Sequence, residues 1–197
     1  MNGKATRQPL NTVLDRLVRR LRARRLHQYL HAGASVLDVG CGTENWFLRA
    51  NSSRIRLGIG IDPHLATTTF SEDNVAGFRG TLSEFASLPD AHRFDVVTLL
   101  AVIEHFDIDS AEGVLRDCKM MLRPGGTVLL TTPTPRAKPV LEFLAFRAHL
   151  ISKEEIADHS HYHTERSIRE LLKSSGFFSV RYRTFQCGMN SLISASQ

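Results

Sequence analysis

Hydrophobic residues in this chain occur in short runs that are separated by longer polar segments. The runs occupy residues 35–39, 57–61, 94–103 and 127–130. Continuous apolar runs of this length are too short to span a membrane and are typical of parallel strands buried on both faces. The polar segments 43–50, 63–73, 110–122 and 165–175 predict helices, and Thr43 is the expected N-cap of the first. This alternation predicts a parallel sheet with helices on both faces.

An amphipathic stripe precedes the first run. Its apolar residues recur at helical spacing and are Leu10, Val13, Leu14, Leu17, Val18, Leu21, Leu26, Tyr29 and Leu30. The pattern predicts a helix that has an arginine-rich outer face and ends at Gly33. Residues 1–31 contain eight Lys and Arg residues and one Asp, a net charge of +7, whereas the whole chain carries +5. Three interpretations of the basic face stay open. It is a solvent-exposed surface without a partner, a patch that binds an anionic substrate or a membrane surface, or a contact for nucleic acid.

Length and cysteine usage indicate a single soluble domain. A chain of 197 residues can bury a sufficient core in one domain. Its amino terminus has no continuous apolar stretch, so we expect no signal peptide. The cysteines, Cys41, Cys118 and Cys187, are isolated in the sequence. This spacing indicates reduced thiols and a cytoplasmic protein, and not a disulfide framework or a zinc site.

Acidic residues and glycines mark the first two apolar runs. Residues 36–42 read Val-Leu-Asp-Val-Gly-Cys-Gly, so a buried strand containing Asp38 enters a Gly-x-Gly loop. Glycines allow a tight turn there and let the backbone approach a ligand closely. A dinucleotide-binding loop would have a further glycine where this chain has Asn45. The second run ends at Asp62, and residues 121–130 read as a helix end, a Pro-Gly-Gly turn and another strand.

Together with residues 94–106, these motifs resemble those of class I S-adenosylmethionine-dependent methyltransferases over roughly residues 30–190. The resemblance implies a single three-layer Rossmann-like α/β domain, with a mostly parallel seven-stranded sheet and an antiparallel C-terminal strand. Residues 180–185 and 192–195 would form the closing hairpin. The implied cofactor is S-adenosylmethionine, with its methionine part over the glycine loop and its ribose hydroxyls on Asp62. The cofactor residues implied in this way are Asp38, Gly40, Cys41, Gly42, Asp62, Pro63, Thr81, Leu82 and Leu100.

Two positions depart from the family pattern. Thr81 stands where an acid usually receives the adenine amino group. Adenine would therefore be held by the Thr81 hydroxyl, by Glu84 or by the backbone amide of Leu82. Glu44 stands where the family has a third loop glycine. Apart from the resemblance, an acid such as Asp62 can also cap the helix that follows its strand.

Four histidines are candidates for a general base. Methyl transfer requires that the two reactants are positioned and that water is excluded. A hydroxyl acceptor also needs a base, and histidine is the usual residue near neutral pH. The candidates are His105, directly after the third run, and His159, His161 and His163, which alternate before the last helix. His161 is our first choice and His105 our second; the alternatives for the cluster are a structural loop and a metal site.

Two weaker resemblances concern the acceptor. Residues 103–105, Ile-Glu-His, are similar to a stretch of ubiquinone-pathway O-methyltransferases, some of which bind a divalent cation there. Those enzymes have another Glu where this chain has Ala101, so we predict no metal. Residues 158–177 and 185–190 resemble small methyltransferases of surface glycan or glycolipid synthesis. We therefore predict O-methylation of a small-molecule or glycan-type acceptor.

Other function classes are less consistent with the motifs. Residues 101–104 lack the Asn/Asp-Pro-Pro-aromatic motif of enzymes that methylate DNA or protein amino groups, so a nucleic-acid or protein methyltransferase is an alternative only. An inactive cofactor-fold scaffold is a second alternative, since the adenine motif is altered. A nicotinamide-dependent dehydrogenase is a third, and the glycine pattern argues against it.

We divide the chain into a basic helix at residues 1–32 and a cofactor-binding domain at residues 33–197. The domain includes an apolar, lid-like insertion near residues 136–163. Residues 132–136 follow a buried strand, and ligands in open α/β sheets bind beyond the carboxyl ends of the strands. We expect this loop and the lid to border the acceptor opening. No transmembrane segment is predicted, and the basic helix is the candidate for peripheral membrane contact.

Overall fold

The computed structural model describes residue 21 and residues 23–65, 74–88, 93–142 and 162–197. In chain order the elements are β1 (Ala34–Val39), α1 (Trp46–Ala50), β2 (Ile55–Ile61), β3 (Val75–Phe78), α2 (Leu82–Ala86), β4 (Phe94–Leu100), α3 (Ile108–Met121), β5 (Leu122–Pro133), α4 (Lys138–Glu142), α5 (Glu165–Ser174), β6 (Ser179–Phe185) and β7 (Asn190–Ser196). Short 3-10 helices lie at His27–Tyr29, Ile103–His105 and Pro135–Ala137. Within these residues no helix has the length and apolar character needed to cross a membrane.

The seven strands form one sheet in the order β3-β2-β1-β4-β5-β7-β6. Neighbouring strands among the first five, β1 to β5, run parallel to each other, and β7 is antiparallel to both β5 and β6. This confirms the predicted mostly parallel sheet and its antiparallel end. The chain order reverses between β1 and β4, and ligands of open α/β sheets bind at such reversals.

Alternate side chains of the strands pack into two hydrophobic layers, which explains why the apolar runs are continuous. One layer contains Leu37 of β1 and packs against α2, α3 and α5. The other contains Val36 of β1 and packs against α1 and the segment before β1, through Phe47 and Leu26. All four side chains are buried. Helices therefore cover both faces of the sheet, as the alternation of elements predicts.

The structure describes the C-terminal end of the predicted amino-terminal helix. Residues 23–26 are helical and continue into the 3-10 helix. Leu26 and Leu30 are buried against the sheet, whereas Arg24 and Arg25 are exposed. These two positions of the stripe are therefore packed as predicted, whereas Leu21, which the stripe also includes, is exposed. The apolar positions from Leu10 to Val18, and the domain division at residue 32, stay predictions because residues 1–20 lie outside the description.

Two predicted helix boundaries are wrong. The helical residues before β1 end four residues before Gly33, which instead lies in the turn into β1 with a φ of +80°. Thr43 does not cap α1, because that helix begins at Trp46, after Asn45 in the left-handed conformation. The side chain of Asn45 donates a hydrogen bond to the carbonyl of Ala76 on β3 at 3.2 Å. This contact across the sheet extends the glycine loop and delays the start of the helix.

Candidate functional site

The Gly-x-Gly loop turns over the end of β2. The N–H groups of Gly40 and Cys41 donate to the carbonyl of Ile61 at 2.8 and 3.2 Å. Gly40 and Gly42 have φ of +72° and +71°, a region that glycine occupies without strain. A Cβ on Gly40 would overlap Cγ2 of Val102, whereas one on Gly42 would meet no atom within 4 Å. Packing thus excludes a side chain at the first glycine, and the second presents bare backbone to open space.

Asp62 holds this loop from the end of β2. Its Oδ2 accepts the N–H of Gly42 at 2.8 Å, and its Oδ1 accepts the N–H of His64 at 2.7 Å. The carboxylate therefore holds both the local turn and the glycine loop. The helix at residues 63–73 that it is predicted to cap lies mostly outside the described residues. Each oxygen of an ionised carboxylate has a second acceptor position. Asp62 thus retains capacity for two further donors, such as a pair of vicinal hydroxyls.

Asp38 lies beside the same loop, within β1. It is 2 % exposed, and its Oδ1 accepts a hydrogen bond from the hydroxyl of Thr98 on β4 at 2.5 Å. Burial raises the pKa of this carboxyl to about 7; the hydrogen bond from Thr98 opposes the shift, and the nearby charge of Asp62 adds to it. The carboxyl is consequently poised between its two protonation states near neutral pH. A cationic ligand at this position would favour the ionised form.

Cys41 is a structural member of the loop and not a nucleophile. Its side chain is buried, and its thiol donates a hydrogen bond to the carbonyl of Gly42. Burial raises the pKa of the thiol, and the charges of Asp38 and Asp62 raise it further. Because the thiolate is the reactive form of cysteine, this sulfur is inert at neutral pH.

Thr81 caps helix α2 through a reciprocal capping box with Glu84. The Glu84 Oε2 accepts the N–H and the hydroxyl of Thr81 at 2.6 and 2.8 Å, and Thr81 Oγ1 accepts the N–H of Glu84 at 3.2 Å. The bonds from Thr81 lower the pKa of the Glu84 carboxyl. Both side chains are thus engaged with each other. The first N–H groups of a helix have no intrahelical acceptor. Of the three predicted adenine contacts, the backbone amide of Leu82 is therefore the one that this cap favours.

The end of β4 contains a strained backbone position. Ala101 has a φ of +60°, which costs a residue with a Cβ roughly 1–2 kcal/mol. Its N–H donates to the carbonyl of Thr131 on β5 at 2.8 Å. Leu100, a predicted cofactor residue, is half-buried directly before it. Strained residues of this kind cluster at functional sites, and this one lies at the carboxyl edge of the sheet.

One of the two preferred histidines lies in the described part of the chain. His105 is exposed at the end of the 3-10 helix that follows β4, and Glu104 beside it is fully buried. His161 lies outside the described residues, so its role stays a prediction. His163 is buried shortly before α5. Among the described residues, no group of three or more His, Cys, Asp and Glu side chains is placed to hold a metal ion.

Sequence analysis missed two side chains that shape the loop. Thr98 supports Asp38 from a neighbouring strand, and no local pattern marks it. Asn45 packs over β2, where a Cβ on Gly60 would lie 2.6 Å from its Oδ1. Asn is one of the few residues that enter the left-handed region readily. An Asn soon after a Gly-x-Gly turn was therefore the available signal for a longer loop.

Comparison with known proteins assigns the chain to a family. A family model described as a methyltransferase domain matches residues 10–181. The chain belongs to this methyltransferase family. The match confirms the resemblance to class I S-adenosylmethionine-dependent methyltransferases, and family and fold imply S-adenosylmethionine as the cofactor.

Two relatives of this methyltransferase carry the name ubiquinone biosynthesis O-methyltransferase. The protein from Citrobacter koseri is 31 % identical over 109 residues, which are 51 % of this chain and 43 % of the relative. The protein from Pseudomonas paraeruginosa is 34 % identical over 116 residues, 56 % of this chain and 49 % of the relative. The chain thus spans about half the length of the curated relatives it matches.

A solved structure shows the same fold. A SAM-dependent methyltransferase from Archaeoglobus fulgidus superimposes with a TM-score of 0.66 at 18 % sequence identity. The superposition covers 91 % of this chain and 94 % of that chain. It supports the Rossmann-like architecture that the methyltransferase motifs imply.

The loop residues fit the implied cofactor. S-adenosylmethionine has a sulfonium, an α-ammonium group and two ribose hydroxyls, and it has no phosphate. The site offers two carboxylates, Asp38 and Asp62, and a bare backbone at Gly42 that faces open space. Acceptor-only carboxylates suit hydroxyl and ammonium donors.

Proposed function

We propose that this methyltransferase transfers the methyl group of S-adenosylmethionine to a hydroxyl oxygen of a small-molecule or glycan-type acceptor. The observation that carries the proposal is the pair of buried carboxylates, Asp38 and Asp62, beside a glycine loop that faces open space at Gly42. The relatives named O-methyltransferase support oxygen as the accepting atom.

The two carboxylates would bind different parts of the cofactor. Asp62, which already accepts two backbone N–H groups, would accept the ribose hydroxyls at its remaining acceptor positions. Asp38 would offset positive charge at the methionine end, and that charge would in turn favour the ionised carboxylate. The N–H of Leu82 would donate to the adenine ring at the first turn of α2. Pro63 and Leu100 would border these positions.

The bound cofactor supplies a methyl group that positive sulfur already activates. The protein therefore has to orient the acceptor hydroxyl and exclude water. A histidine, His161 first and His105 second, would accept the hydroxyl proton at a ring nitrogen. His105 follows β4, beside the reversal of chain order where both reactants would meet.

We further propose a cytoplasmic location and, for the basic amino-terminal helix, contact with an anionic surface. The three cysteines are free, which supports a reducing compartment. Exposed Arg24 and Arg25 at the end of the helix support the basic surface. A nucleic-acid acceptor lacks comparable support.

A transfer assay with methyl-labelled S-adenosylmethionine tests the proposed reaction. The acceptors are a panel of hydroxyl-bearing small molecules and glycan fragments, and mass spectrometry identifies the atom that carries the label. We expect an O-methyl product whose formation is lost in Asp62→Ala. Lys173→Ala, which removes an exposed cation from the last turn of α5, should retain it. Labelling of nitrogen or carbon only, or no labelling of any acceptor, contradicts the proposal.

A further inference from the structure

The carboxyl end of β5 lies across the chain-order reversal from the glycine loop. The cofactor residues follow β1, β2 and β3 for the most part, so a second substrate has room beyond β4 and β5. Strand β5 ends at Pro133, and a 3-10 helix at Pro135–Ala137 and α4 follow it directly. Side chains of this segment are therefore placed to contact the methyl acceptor.

Thr134 ties the start of this segment to the turn between β6 and β7. Its N–H donates to the carbonyl of Met189 at 2.9 Å, and its hydroxyl donates to the carbonyl of Gly188 at 2.7 Å. Thr134 is 4 % exposed, so bulk water does not compete for these bonds. The 3-10 helix that follows consequently has a fixed starting point.

The β6–β7 turn also lies close to Arg136. Gln186 and Cys187 have left-handed backbone, with φ of 52° and 56°, and Gly188 follows with a φ of 80°. Left-handed residues other than glycine are uncommon and often lie at functional sites. A Cβ on Gly188 would lie 3.5 Å from Nη1 of Arg136. The guanidinium group therefore lies near this turn, at the end of β5.

Arg136 and Lys138 present two cations at this edge of the sheet. Both are exposed, and neither forms an ion pair in the part of the chain that the structure describes. By contrast, Arg123 and Arg169 are paired with carboxylates. The ammonium group of Lys138 lies 5.9 Å from the ring centroid of Tyr162, which precedes α5. Among the described residues, the ring of Tyr162 thus lies close to Lys138, the β6–β7 turn lies close to Arg136, and no carboxylate pairs with either cation.

We propose that the methyl acceptor carries a carboxylate or phosphate group, which Arg136 and Lys138 bind while an acceptor hydroxyl faces the cofactor. A guanidinium fork matches either anion with two parallel hydrogen bonds, and an adjacent ammonium adds charge without a fixed geometry. Thr134 is a positioning residue, since it acts on the anion through Arg136. This inference rests on the proposed function, because it names the acceptor class for the same reaction.

Ligand binding without turnover tests the inference. The protein is saturated with S-adenosylhomocysteine, the demethylated cofactor, and titrated with matched probes by calorimetry. The probes are 3,4-dihydroxybenzoate with its methyl ester, and phenyl phosphate with phenol. We expect the acids to bind about 10-fold tighter than their neutral partners, ~1.4 kcal/mol, and added salt to weaken this preference. In the double variant Arg136→Gln, Lys138→Gln the preference should disappear.

Three variants separate this role from general effects. Lys173→Gln removes an exposed cation elsewhere and should keep the full preference for acids. Thr134→Val removes the hydroxyl and should reduce the acid-to-neutral ratio, whereas Thr134→Ser should restore it. A loss of stability alone would lower the melting temperature and leave that ratio unchanged. An unchanged ratio in Thr134→Val overturns the positioning role.

Failure of this inference is distinguishable from failure of the proposed function. Equal binding of acids and neutral partners, no saturable binding of any probe, or a preference that survives the double substitution overturns the anionic acceptor. Transfer to a neutral hydroxyl acceptor in the labelling assay would then leave the proposed function standing. A preference for acids that requires both cations, with no transfer to any acceptor, overturns the proposed function alone.

Discussion

The buried carboxyl of Asp38 makes the stability of the free protein depend on pH. Its pKa is raised from 3.8 to about 7 in the folded state, so between these values the folded chain binds a proton that the unfolded chain has released. The contribution of Asp38 to stability is therefore greatest below the unfolded pKa and is lost as pH rises through about 7. About three pKa units at ~1.36 kcal/mol each give an upper limit of about 4 kcal/mol. Asp38→Asn keeps the shape of the side chain without the charge. The free energy of unfolding of this variant should therefore lack the decrease between about pH 4 and 7 that Asp38 causes.

Cofactor affinity should change with pH in the opposite sense. A cation at the methionine end of the cofactor favours the ionised carboxylate, so only that fraction of the free protein is ready to bind. With a pKa of about 7, this fraction rises from about a tenth at pH 6 to about nine-tenths at pH 8. The apparent Kd varies inversely with it. Binding to the wild type should therefore be about 10-fold tighter at pH 8 than at pH 6.

Calorimetric titration with S-adenosylmethionine and urea unfolding at pH 5, 6, 7 and 8 measure both effects. The carboxyl of Asp62 contacts the same loop, so Asp38→Asn is the control that assigns the titration to Asp38. This variant should bind the cofactor more weakly, with little dependence on pH, and should gain stability relative to the wild type as pH rises. Parallel pH profiles for wild type and Asp38→Asn, in both assays, would refute the reasoning.

Three further outcomes follow from the loop, the cap and the candidate bases. Alanine at Gly40 or Gly42 takes on left-handed strain of roughly 1–2 kcal/mol, and Gly40→Ala also overlaps a neighbouring side chain, which should cost roughly 1–3 kcal/mol more of unfolding free energy. Gly42→Ala meets open space, so it should carry the strain alone and also weaken cofactor binding; equal effects of the two variants on urea unfolding would contradict this distinction. Thr81→Ala removes the cap of α2 and should cost about 1 kcal/mol with cofactor affinity nearly unchanged, so a large loss of affinity would place the Thr81 hydroxyl on adenine. His161→Ala or His105→Ala should lower the transfer rate by ~10²–10⁴-fold with normal cofactor binding; full activity and an unchanged pH–rate profile in both variants would leave positioning as the whole mechanism.

The positions of the strands along the chain and the glycine loop could be predicted from the sequence because their signals are local. A continuous apolar run from Ser35 to Val39 indicates a strand buried on both faces, and the Gly-x-Gly loop follows within three residues. The capping of α2 by Thr81 also depends on residues close in sequence, although the family pattern predicted an adenine contact at that position. Local chemistry thus predicted the elements better than it predicted the roles of single residues.

The missed features depend on contacts between residues that are distant in sequence. Thr98 reaches Asp38 because β4 pairs with β1 and sets these residues opposite each other. Asn45 remains in the loop because its amide bonds to a carbonyl on β3. Arg136 lies near Gly188 because β7 pairs with β5 and returns the hairpin turn to the strand end. Each contact follows from the sheet order, which no local pattern specifies.

The central claim is that the glycine loop and Asp62 bind S-adenosylmethionine, and calorimetry of cofactor binding tests it most directly. The titration compares wild type, Asp62→Ala and the control Lys173→Ala with S-adenosylmethionine, and wild type with NADH. We expect one-to-one binding of S-adenosylmethionine that Asp62→Ala weakens by about 1–3 kcal/mol, roughly 5- to 150-fold. Lys173→Ala should bind as the wild type does, and NADH should not bind. Unchanged affinity in Asp62→Ala, or binding of NADH as tight as that of S-adenosylmethionine, would contradict the account.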